Sequence, residues 1–149
     1  MSLFSNILKK FFLNSTSKPT GLYDDDIFIV SNPKSGNTWM RFSIANLIKK
    51  ENETINFHTA INYVPELGIH NDIVRSLERP RILKSHQLYN ASFKKVVYIV
   101  RDPRDVYVSY YHYLKKKLPE RTTFSQFLKE KVESTYSWKA HVSSWHEKS

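Results

Sequence analysis

Residues 25–48, DDIFIVSNPKSGNTWMRFSIANLI, contain an apolar run, a short polar loop and a helical pattern in direct succession. Residues 27–30 are β-branched or aromatic without alternation, which predicts a strand buried on both faces. Apolar residues recur at helical spacing from Thr38 onward, and Lys49 and Lys50 are expected to close the last turn. A strand, a tight loop and a helix N-terminus point backbone N–H groups at an anion, so this unit predicts a phosphate-binding site.

The loop itself, residues 31–37, fits that prediction in part. Lys34 supplies a positive charge, and Ser35 and Thr38 supply hydroxyl donors. The usual P-loop, GxxxxGK[ST], places its lysine directly after the last glycine, whereas Lys34 precedes Gly36 by two residues. The spacing therefore disfavours an ordinary nucleoside-triphosphatase. From the loop alone, a plain strand-to-helix turn with a solvent-facing lysine is an equally good interpretation.

Composition limits the class of protein. The chain has 149 residues, of which 40% are hydrophobic and 25% charged, as expected of one globular domain with a real core. It has no cysteine, which excludes disulfides and thiolate zinc sites and suits a reducing compartment, so a cytoplasmic location is predicted. No apolar run approaches the ~20 residues that cross a bilayer.

The charge favours an anionic partner. The net charge is +9, and residues 81–121 hold ten Lys and Arg against three Asp and Glu. Nucleic acid, an acidic membrane surface and a polyphosphorylated small molecule would each suit this bias. The six histidines form no HxxxH or HExxH pair, so no metal site is predicted.

Two further strands are predicted, at residues 81–85 and 95–100. With the first strand they predict a three-layer α/β domain, a short parallel sheet of at least three strands with helices on both faces. His86 follows the second strand, at the edge where open α/β sheets bind ligands. A lone histidine there is more often an ordinary loop residue than a catalytic one.

The third strand leads into a second well-capped helix, RDPRDVYVSYYHYLKKK. Asp102 is a good N-cap, Pro103 fits the first helical position, and the lysines at 115–117 suit the last turn. This predicts a second helix N-terminus beside the first, although a plain surface helix explains the local sequence equally well. A further helix is predicted at 122–132, and Trp138 and Trp145 are expected to be core or interface residues.

Three motifs, PKSGNTW, LKSH and RDPRDVYVSYYH, resemble those of the cytosolic-type sulfotransferases, in the same order and across residues 24–146. The resemblance implies a P-loop-like α/β fold and 3′-phosphoadenosine-5′-phosphosulfate (PAPS) as sulfuryl donor. It further implies a small-molecule hydroxyl or amine acceptor, no metal and no specific nucleic-acid partner. Asn37 departs from the family pattern, which has threonine there, but its amide can still donate to a phosphate.

The resemblance also implies roles for single residues. His86 would be the general base, for which an unperturbed pKa of ~6.5 is well suited. Lys34 would neutralise the leaving 5′-phosphate, and Lys84 would stabilise the transferring sulfuryl group. The donor would be held by Lys34, Ser35, Gly36, Asn37 and Thr38 at the 5′-phosphosulfate, by Trp39 stacked on adenine, and by Arg101 and Ser109 at the 3′-phosphate.

The resemblance suggests two regions. Residues 1–22 would be an amphipathic segment and linker, with 1–13 packed as a helix on the domain, and residues 23–149 a sulfotransferase-like domain incomplete at its C-terminus. The family's later Arg-Lys-Gly loop is missing from the sequence. Apolar helix faces around Trp138 and Trp145 would then be exposed, predicting self-association or a partner chain.

Two alternatives differ in class. A catalytically silent nucleotide- or polyanion-binding module would keep the phosphate-binding loop without turnover. A P-loop kinase is disfavoured because Lys34 is displaced from the usual position and because Asp102 is better used as a helix cap than as a magnesium ligand.

Overall fold

The computed structural model describes residues 21–148, so the segment predicted at 1–13 lies outside the described residues. Within this range the chain forms three strands and six α-helices. The strands are β1 (Ile27–Ser31), β2 (Ile82–Ser85) and β3 (Lys95–Ile99). The helices are α1 (Asn37–Ile48), α2 (Ala60–Tyr63), α3 (Asn71–Ser76), α4 (Pro103–Leu114), α5 (Phe124–Val132) and α6 (Trp138–His146), and a 3₁₀ turn, Lys115–Lys117, follows α4.

The sheet is parallel throughout, with the strand order β2-β1-β3. Val30 of β1 lies between Ser85 of β2 and Tyr98 of β3. The central position of β1 explains its unbroken apolar run, because a strand with neighbours on both edges and layers on both faces has no solvent side. The predicted α/β fold with a short parallel sheet is confirmed.

The main core lies on one face of the sheet. Phe28 and Val30 are fully buried there, and the Phe28 ring stacks on Phe93 with 3.8 Å between centroids. Trp145 of α6 covers this cluster. Ile29 alternates to the opposite face and is also buried. Both faces of β1 are therefore covered.

The buried side of α1 is not its apolar side. Asn37, Arg41 and Ala45 are the buried residues of this helix, and their spacing of four places them on one face. Trp39 is 81% exposed and Leu47 is 83% exposed. A polar side of α1 thus faces the sheet, where it can serve the site described below.

The strand β3 lies at an edge of the sheet. Val97 is 43% exposed, and Val100, just past the strand, is 55% exposed.

The two tryptophans of α6 are covered. Trp145 is buried, and Trp138 is half-buried. The prediction of an exposed apolar face around Trp138 and Trp145 is therefore wrong for these residues, because α6 turns them towards the sheet and the start of α4.

Capping explains where α4 begins. The Asp102 carboxylate accepts from the Arg104 N–H at 2.8 Å, and Pro103 occupies the first helical position, as predicted. The last residue of α1 is Ile48, and Lys49 is its C-cap. Lys49 and Lys50 therefore lie beyond the last turn and not within it, contrary to the prediction. No helix within residues 21–148 is long and apolar enough to cross a membrane.

Candidate active site

Three connections meet at the carboxyl edge of the sheet. They are the β1–α1 loop, the residues that follow β2, and the β3–α4 loop, which contains Arg101. Because the strands are parallel and adjacent, their carboxyl ends lie side by side, and this is the edge at which open α/β sheets bind ligands. The motifs that the sequence singled out are therefore brought together in space.

The β1–α1 loop wraps tightly before the helix starts. The Ser35 N–H donates to the Asn32 carbonyl at 3.2 Å, and Lys34 and Gly36 have positive φ angles of 71° and 104°. A lysine in this left-handed region is uncommon, whereas glycine adopts it freely. The first N–H groups of α1 have no partner within the helix, so they face the space over the loop.

Two buried polar side chains lie beneath this loop. The Asn37 amide donates to the Ile29 carbonyl at 3.2 Å and to the Ser31 hydroxyl at 3.1 Å. That amide faces the strand, so only the backbone N–H of Asn37 remains for a phosphate, contrary to the expectation from sequence. The Ser35 hydroxyl is buried and has no hydrogen-bond partner among the described residues. An orphaned hydroxyl at this position fits a ligand that accepts from it.

The two predicted donor loops touch each other. The Arg101 guanidinium donates to the Lys34 carbonyl at 3.4 Å and lies 3.3 Å from the Asp105 carboxylate. Partial burial lowers the pKa of Lys34, and the positive charge of Arg101 lowers it further. The Lys34 ammonium also lies 4.3 Å from the centre of the Tyr113 ring. The repulsion between Lys34 and Arg101, only partly offset by Asp105, favours an anion beside them.

His86 lies directly behind the loop. Its Nδ1 is 2.7 Å from the Ser31 carbonyl. A carbonyl only accepts, so Nδ1 carries the proton and Nε2 of the neutral ring is the free base. Burial and the nearby Lys84 charge lower the pKa of His86 to about 4. The imidazole is therefore neutral at physiological pH, as a general base must be.

Lys84 is buried and paired. Its ammonium donates to the Glu66 carboxylate at 2.5 Å. Burial lowers the pKa of Lys84, although Glu66 opposes that shift. Burial alone would raise the pKa of Glu66, but the charge and hydrogen bond of Lys84 and the charge of Arg41 hold it below its usual value. Glu66 and Arg41 were not predicted as site residues, because their local sequence has no motif.

The helix α6 fixes the backbone around His86. The His141 ring donates from Nε2 to the His86 carbonyl at 3.2 Å and accepts from the Tyr98 hydroxyl at 2.7 Å. Trp145 donates to the Gln87 carbonyl at 3.1 Å. At the other end of α6, the Trp138 ring N–H donates to the carbonyl of the candidate donor-site residue Arg101 at 2.9 Å. A single helix thus connects two of the three site segments.

The remaining predicted residues lie around the same edge. Thr38 and Trp39 are exposed in the first turn of α1, and Ser109 is half-buried in α4. Within residues 21–148 no group of His, Cys, Asp and Glu is arranged to hold a metal ion. The protein is thus an α/β protein in which two helix N-termini lie beside a lysine, an arginine and a neutral histidine, an arrangement that suits a phosphate-bearing ligand.

Comparison with known proteins identifies the family. The family model of the sulfotransferase domain matches residues 24–149, so the chain belongs to the sulfotransferase domain family. The chain is similar to sulfotransferase 1E1 of Rattus norvegicus, with 36% identity over 146 residues, covering 84% of this chain and 49% of the relative. It is similar to sulfotransferase 2B1 of Homo sapiens, with 36% identity over 142 residues, covering 82% of this chain and 38% of the relative.

A solved structure extends this similarity to the fold. The chain is similar to mouse sulfotransferase SULT7A1, solved in a complex with 3′-phosphoadenosine 5′-phosphate (PAP), with 29% sequence identity and a TM-score of 0.62. The match covers 92% of this chain and 54% of that chain. The chain thus spans about half the length of such relatives, or less.

Proposed function

We propose that this chain binds PAPS and transfers its sulfuryl group to a hydroxyl or amine of a small molecule. The observation that carries the proposal is the contact between Arg101 and the Lys34 carbonyl at 3.4 Å, which joins the two loops expected to grip the two ends of one nucleotide. His86, with its free Nε2, lies next to the same loop through Ser31.

In this proposal His86 takes the proton from the acceptor as the acceptor oxygen or nitrogen attacks sulfur. The new bond to sulfur forms while the bond from sulfur to the bridging 5′-phosphate oxygen breaks, and that oxygen keeps the electron pair. Lys34 and the first N–H groups of α1 offset its growing charge, and Lys84 offsets charge on the sulfuryl oxygens. The products are the sulfated acceptor and 3′-phosphoadenosine 5′-phosphate (PAP).

The donor would be held by residues of α1, of α4 and of the loops before these two helices. Trp39 is exposed at the start of α1, where its ring can stack on adenine. Arg101 and Ser109 would bind the 3′-phosphate from α4 and its preceding loop. The unpartnered Ser35 hydroxyl and the backbone N–H groups of Gly36, Asn37 and Thr38 would face the 5′-phosphosulfate.

A silent polyanion-binding module is the second candidate, favoured by the net charge of +9. Calorimetric titration with PAP separates the two. The proposed site predicts one PAP per chain and weak dependence on salt. Binding of heparin or nucleic acid that collapses as salt rises, without a PAP site, would favour the polyanion module.

Replacement of His86 tests the catalytic part of the proposal. We expect His86→Ala to lower turnover by roughly 10²- to 10⁴-fold, the usual contribution of a general base, and to spare PAP binding. The measurement is transfer from labelled PAPS to a panel of phenols, alcohols and amines, with His112→Ala, an exposed histidine on α4, as control. Equal loss of turnover and PAP binding would contradict the base role.

A cytoplasmic location, a boundary at residue 23 and self-association stay predictions. Support for self-association comes from Val97 and Val100, which are exposed beside an edge of β3 that pairs with no strand among residues 21–148, and not from the C-terminal tryptophans.

A further inference from the structure

One buried carboxylate is shared unequally by two buried cations. The Glu66 oxygen Oε2 lies 2.5 Å from the Lys84 ammonium and 3.7 Å from the Arg41 guanidinium. The side chains of Glu66, Lys84 and Arg41 are 15%, 11% and 6% exposed. Lys84 therefore has the hydrogen bond, and Arg41 has only the longer ionic contact.

Arg41 is left with unused donors. Its Nε and Nη2 atoms are buried and have no hydrogen-bond partner among the described residues. A buried donor without a partner costs free energy, more so when it carries a charge. In this geometry the Glu66 carboxylate is hydrogen-bonded to Lys84 and lies too far from Arg41 to accept a hydrogen bond from it. Arg41 is thus a second cation near the same carboxylate, with N–H donors that no described residue accepts from.

The backbone around Glu66 is fixed, so only its side chain is free to turn. The Lys84 N–H donates to the Pro65 carbonyl at 2.8 Å, and the Leu67 N–H donates to the Lys84 carbonyl at 2.9 Å. The Glu66 N–H donates to the His70 ring at 2.9 Å. These bonds pair the segment with β2 and hold the carboxylate between the two cations.

The surrounding charges make Glu66 necessary to Lys84. Burial lowers the pKa of Lys84 most, and the charges of Arg41 and Lys34 lower it further. The nearby histidines, His70 and His86, are held neutral because burial lowers their pKa values. His141, behind His86, is neutral for the same reason. Glu66 is the carboxylate that opposes the loss of this proton.

We propose that Glu66 is a positioning residue that holds Lys84 charged and in place while no sulfuryl group is bound, and turns to Arg41 when a sulfuryl group takes Lys84. The proposal rests on the proposed function, because it assumes that Lys84 meets the sulfuryl group. Arg41 accordingly has its unused donors filled only in the donor complex.

The first test is the titration of Lys84 itself, which needs no ligand. NMR of the full chain labelled with ¹³C at lysine Cε reports the pKa, and loss of one signal in Lys84→Arg assigns it. We expect Glu66→Gln to move the Lys84 titration to lower pH and Arg41→Met to move it to higher pH. The control is Asp72→Asn, which removes an exposed carboxylate paired with Arg75 and should change nothing.

The second test is the ratio of PAPS affinity to PAP affinity, which isolates contacts to the sulfuryl group. We expect this ratio to fall roughly 10-fold in Glu66→Gln, because an uncharged lysine loses a charge-assisted contact. It should also fall in Arg41→Met, because Glu66 then has no second partner and stays on Lys84. The two variants thus shift the Lys84 pKa in opposite directions and the ratio in the same direction.

Folding of each variant is checked by circular dichroism. If Glu66→Gln does not fold, Glu66→Asp replaces it. The shorter side chain of Asp should change the Lys84 titration and the affinity ratio in the same direction, but less. An unchanged Lys84 titration and an unchanged affinity ratio in folded variants would overturn the inference. Failure of the wild-type chain to bind either nucleotide would instead refute the proposed function, and the Lys84 titration would still decide whether Glu66 controls this lysine.

Discussion

At the scale of single residues, the end of β1 sets the chemistry of the site. Ser31 is the last residue of that strand, and its carbonyl fixes the protonated nitrogen of His86 while its hydroxyl accepts from the Asn37 amide. One residue therefore orients the candidate base and holds the first turn of α1. Burial, together with the charge of Lys84, then lowers the pKa of the imidazole and keeps it neutral.

The depressed pKa of His86 predicts the pH dependence of turnover. A general base works in its neutral form, so activity falls as the pH drops through the pKa of His86, about 4. We expect the acid limb of the kcat/KM profile near that value, far below the ~6.5 of a free histidine. An acid limb close to 6.5 in the wild-type chain would contradict the lowered pKa of His86.

At the scale of elements, the pair α4–α5 contains a buried lysine whose ammonium contacts an aromatic ring and no carboxylate of the described residues. Tyr110, Leu114, Leu118 and Phe127 form their shared core. Lys131 is 2% exposed beside that core, its ammonium has no hydrogen-bond partner among residues 21–148, and it lies 4.1 Å from the centre of the Tyr110 ring. Burial lowers the pKa of Lys131 to about 7.

Removing this charge should stabilise the chain. Below pH 7 Lys131 is charged in both folded and unfolded states, so the full burial penalty applies. Between pH 7 and the unfolded value near 10.5 the folded state releases the proton and the penalty fades. We expect Lys131→Met to raise the free energy of unfolding by about 1–4 kcal/mol, the range for replacing buried ions with apolar groups.

The check is urea denaturation at pH 6 and at pH 9, with a larger gain expected at pH 6. Lys129→Met on the exposed side of α5 is the matched control and should change little at either pH. An equal gain in the free energy of unfolding at both pH values would contradict the lowered pKa of Lys131 in the folded state.

Elements with local signals could be predicted from sequence, and contacts between distant segments could not. The apolar run of β1 and the Asp102–Pro103 cap of α4 each depend only on adjacent residues. Glu66 meets Lys84 only because its segment pairs with β2. The buried side of α1 could not be predicted from sequence for a similar reason. It is polar because Arg41 forms an ion pair with Glu66, which is distant in the sequence.

At the scale of the whole molecule, one edge of the sheet is open. In the part of the chain that the structure describes, β3 pairs only with β1, and Val97 and Val100 are exposed beside its other edge. An unpaired strand edge with exposed valines is a ready surface for association. A groove of about 410 Å³ lies beside it, lined by Tyr98, Val142 and Trp145 among others.

We therefore expect the chain to self-associate through β3, seen as concentration-dependent sedimentation in analytical ultracentrifugation. The double variant Val97→Lys, Val100→Lys should sediment as a monomer, because charged residues at an edge oppose strand pairing. Val132→Lys changes an equally exposed valine on α5 and serves as control. Monomeric wild-type chain at every concentration would contradict this prediction.

The most direct test of the central claim is whether Arg101 distinguishes nucleotides that differ only in the 3′-phosphate. We expect Arg101→Ala to weaken PAP binding by roughly 10- to 100-fold, the value of a hydrogen bond to a charged group, and to leave binding of adenosine 5′-phosphate unchanged. Arg104→Ala, which removes an exposed arginine paired with Asp102, should affect neither ligand. Equal effects of Arg101→Ala on both nucleotides, or none on either, would contradict the claim that the loops of Lys34 and Arg101 grip opposite ends of one nucleotide.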